Sequence, residues 1–194
     1  MMQNKPLNIL ICGVGGQGTL LASRILGSYG ARMGYDVKLN EVHGMAQRGG
    51  SVVTHVRFGT DLAAPVIEPG CADALVSFEQ LETARWQHYV ADDGIIVTGL
   101  QKRSPMPVIT GAAVYPDEPL AQAKSRVRVV DIDADALALE AGDLRAVNCV
   151  LLGALAKHLN FDDAVFLDAL RASVPARAVE LNVTAARLGG EKIS

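Results

Sequence analysis

Cysteine is scarce in this sequence. Three stand in 194 residues, Cys12, Cys71 and Cys149, with no Cys-x-x-Cys spacing. An odd and scattered set excludes a disulfide framework, and equally a zinc or iron–sulfur site built from this chain alone. It points to a reducing, cytoplasmic setting. No apolar run reaches the 18 residues of a membrane span. The opening segment offers only Leu7–Cys12 as an apolar run before a glycine loop, so it reads as a first strand rather than a signal peptide. A basic excess is missing too: 18 Lys and Arg stand against 21 Asp and Glu, a formal charge of −3. A dedicated nucleic-acid binder is thereby excluded. There is no internal repeat and no low-complexity tract. The Gly-x-Ser-x-Gly, His-Glu-x-x-His and P-loop lysine motifs are absent, as is any clear nucleophile–base pair, which argues against a self-contained hydrolase or kinase.

What is present is an ordinary globular composition, 49% apolar and 20% charged. The mean hydropathy is +0.22. A chain of this length buries a full core without staples and is not disordered. The expected organisation is one domain over 1–194, with an α/β core to about residue 160 and a helical C-terminal arm, about 161–194.

The pattern supports a three-layer α/β/α fold around a mixed, Rossmann-like sheet. Residues 7–12 (LNILIC) read as a buried strand and GVGGQG as a turn. Leu20, Leu21, Ile25 and Leu26 recur at helical spacing, with Gly34 near the helix end. Further strands are expected at 35–42, 51–59, 71–78, 94–100 and 126–133, and a helix at 79–90. The proline-bearing stretch 101–119 reads as loop with a short strand at GAAVY (111–115). Helices are expected at 134–141, 143–159, 162–173 and 176–188. The third helix from the end, LRAVNCVLLGALAKHL, is apolar on most faces and should be buried or docked. Whether the last helices lie on the sheet or reach out as an arm is open at this point.

Two glycine loops carry the chemistry. Gly13-Val14-Gly15-Gly16-Gln17-Gly18 fits G-x-G-x-x-G between a strand and a helix. Glycine lets backbone approach a ligand closely, and free N–H groups at the helix start favour an anion. Glu41 follows 23 residues after Gly18, where a dinucleotide-binding domain holds its ribose carboxylate. The same glycines could instead only let helix and strand pack closely, with Gln17 bonding at a subunit surface.

The second loop, Glu41-Val42-His43-Gly44-Met45-Ala46-Gln47-Arg48-Gly49-Gly50-Ser51, gathers His, Gln, Arg and Ser beside a flexible backbone. Arg48 can grip a phosphate or carboxylate in bidentate fashion. His43 can hydrogen-bond a ligand or transfer a proton near neutral pH. The candidate cofactor, anion or partner contacts are therefore Gly13, Gly15, Gly16, Gln17, Gly18, Glu41, Gln47, Gly49 and Gly50, with His43 and Arg48 as supporting catalytic candidates. The competing reading is a structured turn in which Arg48 pairs with Glu41.

Other polar residues are weaker candidates. His55 and Arg57 share a strand face with Val53, which reads as exposed or partner-facing. His88 and His158 read as structural. Glu79 stands near a strand end and reads as a first-turn helix carboxylate. Asp131, Asp133 and Asp135 alternate but lack the glycine and glutamate of a calcium loop, so Asp133 or Asp135 reads as a helix N-cap. Tyr115 and Asn148 carry faint signals.

ICGVGGQGTLLASRILG followed by EVHGMAQRGGSVVTHVRFG resembles the gamma-type domain of the 2-oxoacid:ferredoxin (or flavodoxin) oxidoreductases, which include the pyruvate enzymes. The likeness is densest over 8–59 and narrowest to the small (beta) subunits of the indolepyruvate branch. SFEQLETARW, GIIVTGL and the Asn148-containing NCVLLGALAK extend it over most of the chain. The resemblance implies a subunit inactive on its own. Its large alpha partner would carry thiamine diphosphate and [4Fe–4S] clusters. The complex would oxidatively decarboxylate a 2-oxoacid such as an arylpyruvate to an acyl-coenzyme A and pass electrons to ferredoxin. This chain would bind no metal, and no cofactor by itself. Two alternatives stand beside it: a stand-alone NAD(P)- or FAD-binding dehydrogenase domain, and a non-catalytic scaffold subunit.

Overall fold

A computed structural model describes residues 5–44 and 49–193. The strands are β1 (Leu7–Val14), β2 (Asp36–His43), β3 (Ser51–Gly59), β4 (Ala72–Ser77), β5 (Val90–Gly99) and β6 (Arg128–Ile132). They form one sheet in the order β2-β3-β1-β4-β5-β6. β1, β4, β5 and β6 run parallel, whereas β3 lies antiparallel between β1 and β2. The sheet is therefore mixed, as expected. The departure from a dinucleotide-binding topology is specific: β2, which carries Glu41, does not pair with β1.

The helices are α1 (Thr19–Arg32), α2 (Gln80–Trp86), α3 (Met106–Ile109), α4 (Ala121–Arg126), α5 (Ala134–Ala141), α6 (Val147–His158), α7 (Asp163–Ser173) and α8 (Val179–Gly190). Side-chain alternation assigns the two sheet faces. Ile9, Ile11, Val56, Phe58, Ala74, Val76, Ile95 and Val97 meet the large helical layer of α1 and α5–α8. Leu10, Cys12, Val53, Leu75 and Ile96 meet a thinner cover, which includes Ile67, Trp86, Ala123 and Val127. Burial on both faces explains why the central strands read as continuous apolar runs.

The C-terminal helices dock on the sheet side rather than reaching out. α7 lies against α1, and α8 lies against α6 and α5. The crossing of α6 and α8 is a backbone contact. A Cβ at Gly153 would stand 1.8 Å from the Ala186 carbonyl oxygen, and one at Gly189 would stand 1.9 Å from that of Val150. Leu151, Leu152 and Leu155 of α6 are fully buried, each contributing about 1.5–3 kcal/mol of transfer free energy.

Three expectations need correction. GAAVY (111–115) is not a strand. Pro105 instead caps the single turn α3, and the chain then loops without sheet partners. α4 was not expected, because six residues are too few to show a period. The face of Val53, His55 and Arg57 is covered, not open. His55 is 4% exposed and its Nδ1 accepts the Ile67 N–H at 3.2 Å. Arg57 bonds the Ala64 and Val66 carbonyls and Asn8 Oδ1. The segment after β3 folds back over the sheet, and no local pattern announces this. Asp133 does cap α5, accepting the Ala136 N–H.

Candidate functional site

Both glycine loops lie at the C-terminal end of β1, the usual side for ligands in parallel sheets. They are bonded to one another: Gly15 N–H donates to Gly50 O at 2.8 Å and Gly49 N–H to Gly15 O at 3.4 Å. Gly18 is the N-cap of α1, at φ 91° in the left-handed region. A Cβ there would also stand 2.9 Å from Asn148 Nδ2. This glycine is thus required by both its conformation and its packing.

The loop and β2 enclose an open cleft of about 390 Å³. Gly15, Gly16, Gly18, Thr19 and Leu20 form one wall, and Glu41, His43 and Val52 form the other. Among the described residues, the N–H groups of Gly16, Gly18, Thr19 and Leu20 find no acceptor in the fold. They stand at the positive end of the α1 dipole, a favourable place for an anion. Glu41 is exposed across from them, and the exposed His43 ring has its Nδ1 against the adjacent Gly44 carbonyl. Tertiary structure thereby unites Gly15, Gly16, Gly18, Glu41 and His43 from the expected set.

Five candidates part from this picture. Gly13 sits inside β1, where a Cβ would press on Gln17 Oε1 at 2.9 Å and on Phe78. Gln17 turns inward. Its Oε1 accepts the Val14 N–H at 2.6 Å and its Nε2 donates to Gln101 Oε1 at 2.9 Å. Gln47 and Arg48, with neighbouring Met45, lie outside the described residues. Gly50 serves the loop-to-loop bond.

A second cleft, of about 420 Å³, opens beside Gly49 and Ser51. Gly49, Ser51, Glu82, Arg85, Arg103, Ser104 and Ile109 are among the residues lining it. Glu82 is 3% exposed; its carboxylate accepts from Ser51 Oγ and from Arg85 Nη1 at 2.9 Å. Deeper still is Glu79, 1% exposed. It caps α2 through the Glu82 N–H and also accepts the Arg103 N–H at 2.9 Å and the Tyr115 hydroxyl. Burial, and then this carboxylate, push the Tyr115 phenol well above its ordinary value. The sequence marked Glu79 as a helix-end carboxylate, which it is. Glu82, Arg85, Arg103 and Gln101 were missed, since nothing local relates residues 82 and 103. The roomiest hollow described, about 620 Å³, lies at the opposite end of the sheet among Tyr29, Tyr35, Phe58 and Phe161, away from both loops.

Among the described residues no three His, Cys, Asp or Glu side chains cluster to hold a metal ion. Cys12 and Cys149 are buried, and burial drives both thiols up, Cys149 to about 12. Neither is a ready thiolate. No helix among the described residues is long and apolar enough to cross a membrane.

Known proteins resemble this chain in sequence and in fold. Indolepyruvate oxidoreductase subunit IorB from Thermococcus kodakarensis is 39% identical over 193 residues, covering 95% of each chain. The subunit of the same name from Pyrococcus horikoshii is 38% identical over 191 residues, again 95% of each. In fold, the chain is similar to the keto/oxoacid ferredoxin oxidoreductase gamma subunit of Geobacter sulfurreducens. The TM-score is 0.72 at 21% identity, over 96% of this chain and 97% of that one. A 2-oxoglutarate:ferredoxin oxidoreductase chain from Magnetococcus marinus, solved with coenzyme A and succinyl-CoA, aligns with a TM-score of 0.70 at 18% identity, over 98% of this chain and 31% of that one. The family described as pyruvate ferredoxin/flavodoxin oxidoreductase matches residues 8–192. The chain belongs to the pyruvate ferredoxin/flavodoxin oxidoreductase family.

Proposed function

We propose that this chain is the small subunit of an indolepyruvate or related arylpyruvate:ferredoxin oxidoreductase, acting in a complex with a large thiamine diphosphate- and iron–sulfur-bearing subunit. The observation that carries this reading is 38–39% identity to indolepyruvate oxidoreductase subunits along 95% of the chain. The cofactors, the ferredoxin acceptor and the cytoplasmic setting belong to the proposal. Bound thiamine diphosphate would supply the carbon–carbon cleavage chemistry, on the partner's side.

The cleft at α1 suits a phosphorylated co-substrate, and coenzyme A is the one the reaction needs. Its phosphate oxygens would accept from the open N–H groups of Gly16, Gly18, Thr19 and Leu20. Glu41 would accept from a ribose hydroxyl, and His43 would donate to, or accept from, a neighbouring polar atom. Arg48, which precedes Gly49 in sequence, would add a guanidinium for phosphate. These groups bind and orient. Closure of the cleft against the partner would exclude water from the reacting end.

A stand-alone dinucleotide dehydrogenase has less support. The insertion of β3 between β1 and β2 separates Glu41 from its usual place beside the first strand. The test is to tag the chain, recover what co-purifies, and assay indolepyruvate-dependent reduction of a viologen dye. A large brown partner with coenzyme A-dependent activity supports the proposal. A chain that elutes alone and binds NADH at micromolar concentration overturns it. Within the complex, Arg48→Ala should raise the KM for coenzyme A; unchanged kinetics would remove Arg48 from the site.

A further inference from the structure

The segment between β5 and α4 exposes apolar side chains to an unusual degree. Met106 and Ile109 are each 65% exposed and Val114 is 89% exposed, with Leu100 at 43% nearby. Single exposed leucines are common, but a cluster on one short loop marks an interaction surface.

This loop is also held in shape. Both of its limbs are tied to one buried atom, Glu79 Oε1, which accepts the Arg103 N–H and the Tyr115 hydroxyl. Inside the loop, Val108 and Ile109 N–H bond Pro105 O, and Ala113 N–H bonds Pro107 O at 3.0 Å. Pro105 and Pro107 restrict the backbone further. A clamped loop with its apolar tips in water has lost its conformational entropy in advance, which is what a preorganised binding element requires.

We infer that residues 103–115 are a preformed docking prong, whose Met106, Ile109 and Val114 enter an apolar groove on the large partner subunit, with Glu79 as the clamp that sets its shape. The inference rests on the subunit reading above. Position selects the occupant. The prong rises from the C-terminal end of β5, the same end of the sheet that holds both glycine loops. Arg103, Pro105 and Ile109 form a wall of the second cleft, so prong and cleft are continuous. A subunit seated on the prong would cover that cleft at once. A second copy of this chain fits less well. Its hollow between α6, α7 and α8 is lined in part by Lys157, Asp163, Arg187 and Glu191, charged groups that an entering apolar tip would desolvate.

The test uses the full chain co-expressed with its large subunit, association being measured by affinity capture and titration. The wild type is compared with Met106→Asp/Ile109→Asp and with the control Leu139→Asp, which changes a 59%-exposed apolar residue on α5. Thermal melting checks that each variant folds. The expected result is weakening by about tenfold or more for the double variant, with wild-type binding for the control. Tyr115→Phe, which unties one limb and leaves the tips intact, should weaken association by a smaller factor. Undiminished capture of the partner by a folded Met106→Asp/Ile109→Asp variant overturns the prong while leaving the subunit reading intact. Equal weakening by Leu139→Asp overturns it too, as does a wild-type chain that self-associates through these residues. Failure of the wild type to associate at all overturns the subunit reading, and the prong with it.

Discussion

Gln17 Nε2 donates to Gln101 Oε1 at 2.9 Å, joining the loop after β1 to the segment after β5. The chain of bonds continues in both directions. Gln17 Oε1 accepts the Val14 N–H, and Gln101 Nε2 donates to both carboxylate oxygens of Asp135 at the start of α5. The first glycine loop is therefore braced by its own glutamine from behind.

Gln17→Ala should leave the Val14 N–H without its acceptor and break the brace. A cost of about 1–3 kcal/mol is expected, read as a lower urea midpoint at unchanged slope. Gln17→Glu keeps the acceptor and loses the donor, so it should fall between the two. Equal midpoints for all three proteins would show that the brace is energetically idle.

Gly18→Ala combines a left-handed backbone with the proximity of Asn148. The conformational part alone costs about 1–2 kcal/mol. On the proposed function, the variant in the assembled complex should raise the KM for coenzyme A more than it lowers kcat, because Gly18 lines the proposed co-substrate cleft. A loss confined to kcat would place the loop outside co-substrate binding.

Gly153→Ala places a methyl group against the Ala186 carbonyl, where backbone cannot yield as a side chain would. The helices α6 and α8 must separate, at about 3 kcal/mol, the upper end for overpacking. Differential scanning calorimetry should show a lower Tm. An unchanged Tm would mean that the crossing is not close-packed.

Acid should weaken the fold through His55. Burial, and then the charge of Arg57, hold this imidazole below its ordinary 6.5. The neutral ring accepts the Ile67 N–H. The unfolded chain therefore binds the proton more readily, and stability rises with pH across that window. The contribution is full above about 6.5 and is lost as pH falls through the lowered folded value. His158 is shifted the same way, by burial and then Arg128. His55→Asn keeps an acceptor for Ile67 without the titration. It should flatten the fall in Tm between neutral pH and about pH 5, leaving only the share of His158 and the carboxylates. An identical pH profile would exclude His55 as the source.

How far local pattern carries is clear from particular elements. Local pattern placed all six strands, most plainly the central β1 and β5, where burial on both faces leaves a nearly continuous apolar run. The loop–helix junction at Gly18 was equally plain, because glycine before a helix is a backbone signal. The order of strands was not. The placement of β3 between β1 and β2 depends on long-range pairing, to which residue spacing is blind. Arg57 and His55 alternate as an exposed face would, yet the segment after β3 folds over them.

The candidate site divides along the same line. Residues 13–18 and 41–51 announced themselves through composition, and their family likeness followed from those words alone. That Glu41 and His43 face the bare N–H groups across a cleft was decided by the antiparallel β3, which sets the lateral distance between β2 and the loop. The Glu79 clamp joins positions 79, 103 and 115, whose sequence separations exceed any helical or strand period. A chain's local preferences act over one turn or one strand. The identity of the elements is therefore written in the residues themselves, whereas their juxtaposition is settled only when the buried surfaces of distant elements find one another.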